Sequence, residues 1–164
     1  AVLNTKTFTL SNNAVSASQA DGSAILVANI AGASVADLTS CEKTNKKWYI
    51  LGIPGNTWHE MEPKGFAPPL IGRQFCHGIL DCYALVKDWY KIEMGLDLPD
   101  FVREDSWWIK GQNLYLENFE KAGFIETDKL EYGVGLLMQI NSPVPNHAAV
   151  YIGNNQIIQH LFNS

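Results

Sequence analysis

Gly78-Ile79-Leu80-Asp81-Cys82-Tyr83-Ala84-Leu85-Val86 sets one cysteine at the point where an irregular segment turns into a helix. From Tyr83 onward Leu85, Trp89 and Ile92 recur at gaps of four and three, the helical period, and Gly95 supplies a stop. Asp81 suits the N-cap, which puts Cys82 at the first helical position. Unpaired backbone N–H groups and the positive end of the helix dipole favour an anion there. They lower a thiol pKa from about 8.5 toward roughly 3.5 to 7.5 when a basic partner is close. A thiolate so placed is a nucleophile. The competing reading of the same residue is a buried, inert cysteine on an apolar helix face.

Further along, Pro145-Asn146-His147-Ala148-Ala149-Val150-Tyr151-Ile152-Gly153-Asn154-Asn155-Gln156-Ile157-Ile158-Gln159-His160 reads as two β-branched or aromatic runs joined by Gly-Asn-Asn, a hairpin signal. A histidine opening such a hairpin is, by itself, a capped surface residue. With Cys82 upstream it completes the order cysteine, histidine, polar orienting residue. A papain-like hydrolase divides its nucleophile and base between helix and sheet in this way. Hairpin register decides the third residue. A two-residue loop, Asn154-Asn155, pairs Ile152 with Ile157 and puts His160 on the face of His147. A three-residue loop, Gly153 to Asn155, pairs Ile152 with Gln156 and selects Gln159 instead, because a one-residue slip flips every side chain.

Leu80-Asp81-Cys82-Tyr83-Ala84-Leu85-Val86 resembles the Asp-Cys-Ser-Gly-Leu-Val signature of the NlpC-type cell-wall cysteine peptidases, and His147-Ala148-Ala149-Val150-Tyr151-Ile152-Gly153 resembles their histidine-bearing strand. From about Pro68 to Leu161 the chain is also similar to the K-type tail-tip (tail-assembly) proteins of lambda-like phages. The marks are Pro69-Leu70-Ile71-Gly72-Arg73, Leu98-Pro99-Asp100-Phe101, Trp107-Trp108, Gly111-Gln112-Asn113-Leu114-Tyr115 and Leu137-Met138-Gln139-Ile140. The resemblance implies an α+β papain-like core, with the nucleophile helix packed on an antiparallel sheet. It implies hydrolysis of peptidoglycan stem peptides, at the phage tail tip and at the host cell wall or periplasm, beside other tail-tip proteins and with no cofactor. In the family the third residue usually follows the base by twelve positions, which designates Gln159, with His160 as the alternative. The implied catalytic set is Cys82, His147 and Gln159. Where many members carry a tyrosine whose hydroxyl helps hold the oxyanion, this chain has Phe75, so oxyanion stabilisation is expected to rest on backbone N–H groups such as that of Cys82. The family usually continues through further strands, whereas Ser164 follows the hairpin directly.

The chain of 164 residues is 46% hydrophobic and 18% charged, enough to bury a sizeable core. A net charge of -5 argues against a general nucleic-acid binder, and no run of about eighteen apolar residues is present to span a bilayer. Three cysteines without metal-ligand spacing argue against a disulfide framework. Residues 1–33 are rich in Ala, Ser and Asn, carry Phe8 as their aromatic residue and Lys6 and Asp21 as their charges, and receive no function. Within them Ala24 to Ile30 is expected as a buried strand between Gly22 and Gly32. A signal-peptide reading fails on position, since Asp21 stands where a basic region belongs.

Residues 34–66 carry a weaker resemblance. Ser34-Val35-Ala36-Asp37, Cys41-Glu42 and Trp48-Tyr49-Ile50 are similar to the closing part of a zinc-dependent JAMM-type domain. No histidine precedes His59, so two expected zinc ligands are missing, and a truncated remnant without metal is expected. Asp37 is then a cap or surface carboxylate, Ser34 caps a short helix through Cys41, and Trp48–Ile53 and Thr57–Met61 form a hairpin carrying His59 on its surface. The stretch from Pro63 to Pro69 is the expected linker, after which 67–164 form the peptidase domain. In that domain Cys76 and His77 are expected to be structural, and Trp107 and Trp108 either core or ligand-stacking. A second helix is expected over 112–122, with Tyr115, Leu116, Phe119 and Ala122 facing the sheet, and a strand over 136–140. The rival function is a structural tail component that uses the hydrolase fold for assembly.

Overall fold

A computed structural model describes residues 14–18, 24–29 and 32–162. Phe8, Lys6, Asp21, Gly22 and Ile30, on which part of the N-terminal reading rests, lie outside these residues. The chain divides into two compact units, Ala1–Pro68 and Pro69–Ser164, with the division inside the proline-rich stretch.

The first unit holds β1 (Ala14–Ser18), β2 (Ala24–Asn29), α1 (Val35–Thr44), β3 (Lys47–Gly52) and β4 (Thr57–Met61). They form one sheet in the order β1-β2-β3-β4, with β2 and β3 parallel across α1 and the other pairs antiparallel. A parallel pair needs such a crossover, and the helix supplies it. Ser34 caps α1 in a capping box: the Asp37 N–H donates to Ser34 Oγ (3.3 Å) and the Ser34 N–H donates to Asp37 Oδ2 (2.8 Å). The Asp37 carboxylate is therefore a helix cap. The helix runs to Thr44, one turn beyond the expected end, and stops where Asn45 adopts a left-handed conformation. Val27, Cys41, Ile50 and Met61 form the core, while His59 is exposed on β4.

The second unit holds α2 (Cys82–Met94), α3 (Leu114–Asn118), β5 (Gly135–Met138), β6 (His147–Tyr151) and β7 (Ile157–Gln159), the strands antiparallel in the order β5-β6-β7. Asp81 caps α2 by accepting the Ala84 N–H at 2.9 Å, and Gly95 ends it in the left-handed region. Leu85, Val86, Trp89 and Tyr90 pack on Ala148 and Val150 of β6 and Ile158 of β7, which seats the helix across the sheet. Ile92 departs from the periodicity reading: it is 59% exposed. At about 100° per residue the buried stripe is centred between the Leu85–Trp89 and Val86–Tyr90 rows, so Ile92 falls on its flank in the last turn.

Two other elements are shorter than expected. The helix expected over 112–122 is reduced to the single turn of α3, and Leu116 is half exposed. Asn113 gives this helix no side-chain cap, and Asn118 Nδ2 donates to Leu114 O (2.8 Å), a local bond that competes with helix continuation. The strand expected to reach Ile140 stops at Met138. The Asn146 side chain instead clasps Ile140, accepting its N–H (2.8 Å) and donating to its carbonyl (3.0 Å).

Gly133 enters β5 with φ +88°, and a Cβ there would lie 2.7 Å from Met94 Cε and 3.6 Å from Trp89 Cη2. Gly133→Ala therefore incurs left-handed strain, while the Met94 methyl, at the end of a flexible exposed side chain, swings aside. The substitution is expected to lower stability by about 1–3 kcal/mol, read as a lower urea midpoint of the full chain at unchanged slope.

Candidate active site

The start of α2 buries Cys82, which is 9% exposed. Its Sγ lies 3.2 Å from Tyr115 Oη of α3. Burial pushes the thiol pKa up, and the neighbouring Asp81 charge adds to this. The Tyr115 hydroxyl and the backbone N–H groups of Ala148 and Tyr83 act the other way without overcoming it. The expectation of a depressed thiol pKa is thus corrected. At the helix N-terminus the cost of desolvating a thiolate exceeds the dipole's help, and the resting group is a thiol.

His147 opens β6, and the next residue, Ala148, belongs to the core against which the Cys82 helix packs. His147 is buried, pairs with Met138 of β5, and its Nε2 meets Gln159 Oε1 at 3.0 Å. A carboxamide oxygen only accepts, so Nε2 carries the hydrogen and Nδ1 keeps the lone pair that can take a proton. Burial lowers the His147 pKa; the bond to Gln159 raises it in part, and the nearby His160 lowers it again. Burial thus favours a neutral imidazole at rest.

The hairpin settles which residue reaches His147. Ala149 pairs with Gln159 and Tyr151 with Ile157, and the Ile152 N–H donates to Gln156 O at 3.0 Å. The turn is therefore the three-residue Gly153-Asn154-Asn155, all with positive φ. Gln159 shares the face of His147, and His160 turns to the opposite face. There it is buried edge-on against Phe75, with ring centroids 5.2 Å apart.

Asp81 does more than cap the helix. Its Oδ2 accepts from Arg103 Nε (2.7 Å) and from the Gly78 N–H (2.8 Å), and both members of the ion pair are buried. Arg103 also donates to Asp100 Oδ1 (3.0 Å) and to Gly78 O (3.2 Å), tying the segment before Cys82 to the loop at 100–103. Burial raises the Asp81 pKa, but the Arg103 charge and hydrogen bond, with the Ala84 and Gly78 N–H groups, lower it further, and the net shift is downward.

Cys76 closes a one-pair bridge with Leu80, and His77 bonds Glu104 O at 3.1 Å. Trp107 is core, 2% exposed, and packs edge-on against Tyr115 with centroids 5.7 Å apart. Sequence reasoning missed Tyr115 as a site residue and assigned its ring to the sheet. No local pattern marks it, because the contact spans 33 positions. Among the described residues no helix is long and apolar enough to cross a membrane, and no three His, Cys, Asp or Glu side chains gather as a metal site would require.

The model of the NlpC/P60 family matches residues 72–164. The chain is similar to the tail tip assembly protein K of Escherichia phage lambda, 46% identical over 96 residues that make up 57% of this chain and 48% of that protein. It is similar also to the tail tip assembly protein K of Escherichia phage N15, 29% identical over 129 residues, 77% of this chain and 53% of that protein. The chain spans about half the length of these curated relatives. No solved structure matches it.

Proposed function

Because the chain belongs to the NlpC/P60 family, we propose that its second unit is a peptidoglycan endopeptidase of a phage tail tip. It hydrolyses amide bonds of cell-wall stem peptides at the host envelope through Cys82, His147 and Gln159. On this reading 67–164 form the peptidase domain and 34–66 a truncated JAMM-like remnant, the latter resting on the Ser34–Asp37 element and on the lack of any histidine before His59. The tail-tip setting, with other tail proteins as partners, rests on the names of the two relatives.

One observation carries the chemistry: the strand that holds buried His147 with its Nε2 3.0 Å from Gln159 Oε1 is the strand on which the Cys82 helix packs. As Cys82 Sγ attacks the amide carbon, its proton passes to His147 Nδ1 while Gln159 fixes the tautomer through Nε2. His147 then returns the proton to the leaving amine, and water hydrolyses the thioester. Glutamine orients the ring but supplies no charge for an imidazolium, so the proton is transferred late, during attack.

The test is digestion of intact peptidoglycan with the purified chain. Soluble stem-peptide fragments should appear, each hydrolysed amide gaining one water by mass, with no new reducing sugar ends. Stem peptides left intact would reject the proposal in favour of the structural tail component.

A further inference from the structure

The resemblance puts Phe75 where many members of the family carry a tyrosine, and its ring is committed to His160 and Phe162, with centroid distances of 5.2 and 5.6 Å. A different tyrosine reaches the nucleophile. Tyr115 comes from α3, beyond the 100–112 loop, and puts its hydroxyl 3.2 Å from Cys82 Sγ. Its ring is wedged edge-on between Tyr83 of α2 (6.3 Å) and the buried Trp107 (5.7 Å), which fixes where the oxygen points. In this arrangement the phenol lies beside the one atom to which a substrate carbonyl must bond.

We propose that Tyr115 is a further catalytic residue, whose O–H moves from the Cys82 sulfur to the carbonyl oxygen as the tetrahedral intermediate forms. The inference rests on Cys82 being an acyl-transfer nucleophile. When the S–C bond forms, the thiol proton goes to His147 and the C=O π pair collects on oxygen, within reach of the phenol. Tyr115 loses no proton: burial, reinforced by the Cys82 charge and hydrogen bond, holds its pKa well above the usual tyrosine value. It remains an O–H donor throughout. When the intermediate collapses, the pair re-forms C=O, the C–N bond breaks, and the O–H returns to sulfur. The donor costs no reorganisation because it already sits at the attacking atom.

Two reagents on the same sulfur separate this role from packing and from simple tuning of the thiol. p-Nitrophenyl acetate acylates Cys82 through a tetrahedral oxyanion, whereas iodoacetamide alkylates it by direct displacement with no oxyanion. Both rates are followed on the peptide carrying Cys82, across pH. Tyr115→Phe is expected to shift the alkylation profile upward in pH. At pH values where the thiol is ionised, it should slow acylation about 10²-fold relative to alkylation. Equal effects on both reagents, or no effect on either, would overturn the proposal. Should Tyr115→Phe fold poorly, 3-fluorotyrosine placed at 115 keeps the ring and gives a stronger donor. The ratio of acylation to alkylation must then rise, and an unchanged ratio is equally fatal. Neither reagent needs peptidoglycan, so a chain that fails to cut cell walls yet shows the ratio change rejects the endopeptidase reading while leaving Tyr115 in its role.

Discussion

Cys82→Ala is expected to reduce stem-peptide hydrolysis by at least about 10⁴-fold, with the fold retained. The side chain is small and buried, and alanine keeps the helical position capped by Asp81, so the packing loss is slight. The chemical loss is large because the thioester route disappears entirely, leaving whatever the site gains from binding and from its N–H and O–H donors. On the proposed mechanism His147→Ala should cost nearly as much, and the double variant little more than either single one, since a nucleophile and its base act as a unit. Steady-state kinetics on a purified stem peptide, with circular dichroism to verify the fold, decide this. Substantial activity in Cys82→Ala would remove the nucleophile from the mechanism.

The second large effect is on stability. Arg103→Ala leaves the Asp81 carboxylate buried without its cation and should destabilise the second unit by about 3–5 kcal/mol at pH 7. The pH dependence gives a sharper test. In the native chain the folded-state pKa of Asp81 is depressed, so its contribution is present above the unfolded carboxylate value near 4 and is lost as pH falls through the folded value. Without Arg103, burial is opposed only by the Ala84 and Gly78 N–H groups, and the folded-state pKa is expected to rise above the unfolded value. The variant should then gain stability as pH falls, and the gap between the two proteins should narrow toward pH 4. Hydrogen exchange of the α2 amides in urea at pH 7 and pH 4 measures it. A gap that stays constant with pH would mean that Arg103 acts through packing on Tyr83 rather than through charge.

The Cys82 helix is readable in the sequence because its signals are local: Asp81 at the cap, the Leu85 to Trp89 spacing, Gly95 at the end. The hairpin is equally local, and its Gly-Asn-Asn turn contains both registers, of which the structure adopts the three-residue one that brings Gln159 to His147. What the sequence does not reveal depends on distant packing. Periodicity includes Ile92 because it cannot sense where the sheet beneath a helix ends. It extends α3 to Ala122 because it does not register the Asn118 back-bond. Tyr115 at the sulfur and Arg103 at Asp81 are contacts across 33 and 22 positions, for which adjacent residues hold no cue. The thiol pKa is misjudged for the same reason: a helix start is visible in the sequence, but the depth at which the fold buries it is not.

The Gly153–Asn155 turn has an evolutionary consequence. His160 already lies one position past Gln159, so the third partner of His147 is chosen by loop length and not by side-chain identity. A single-codon deletion that kept the three-residue turn geometry would draw Gln156 into the loop and slide the returning strand back by one. Imidazole would then replace carboxamide beside His147. Relatives of this chain can thus exchange one orienting group for the other by an indel, with no mutation at either position.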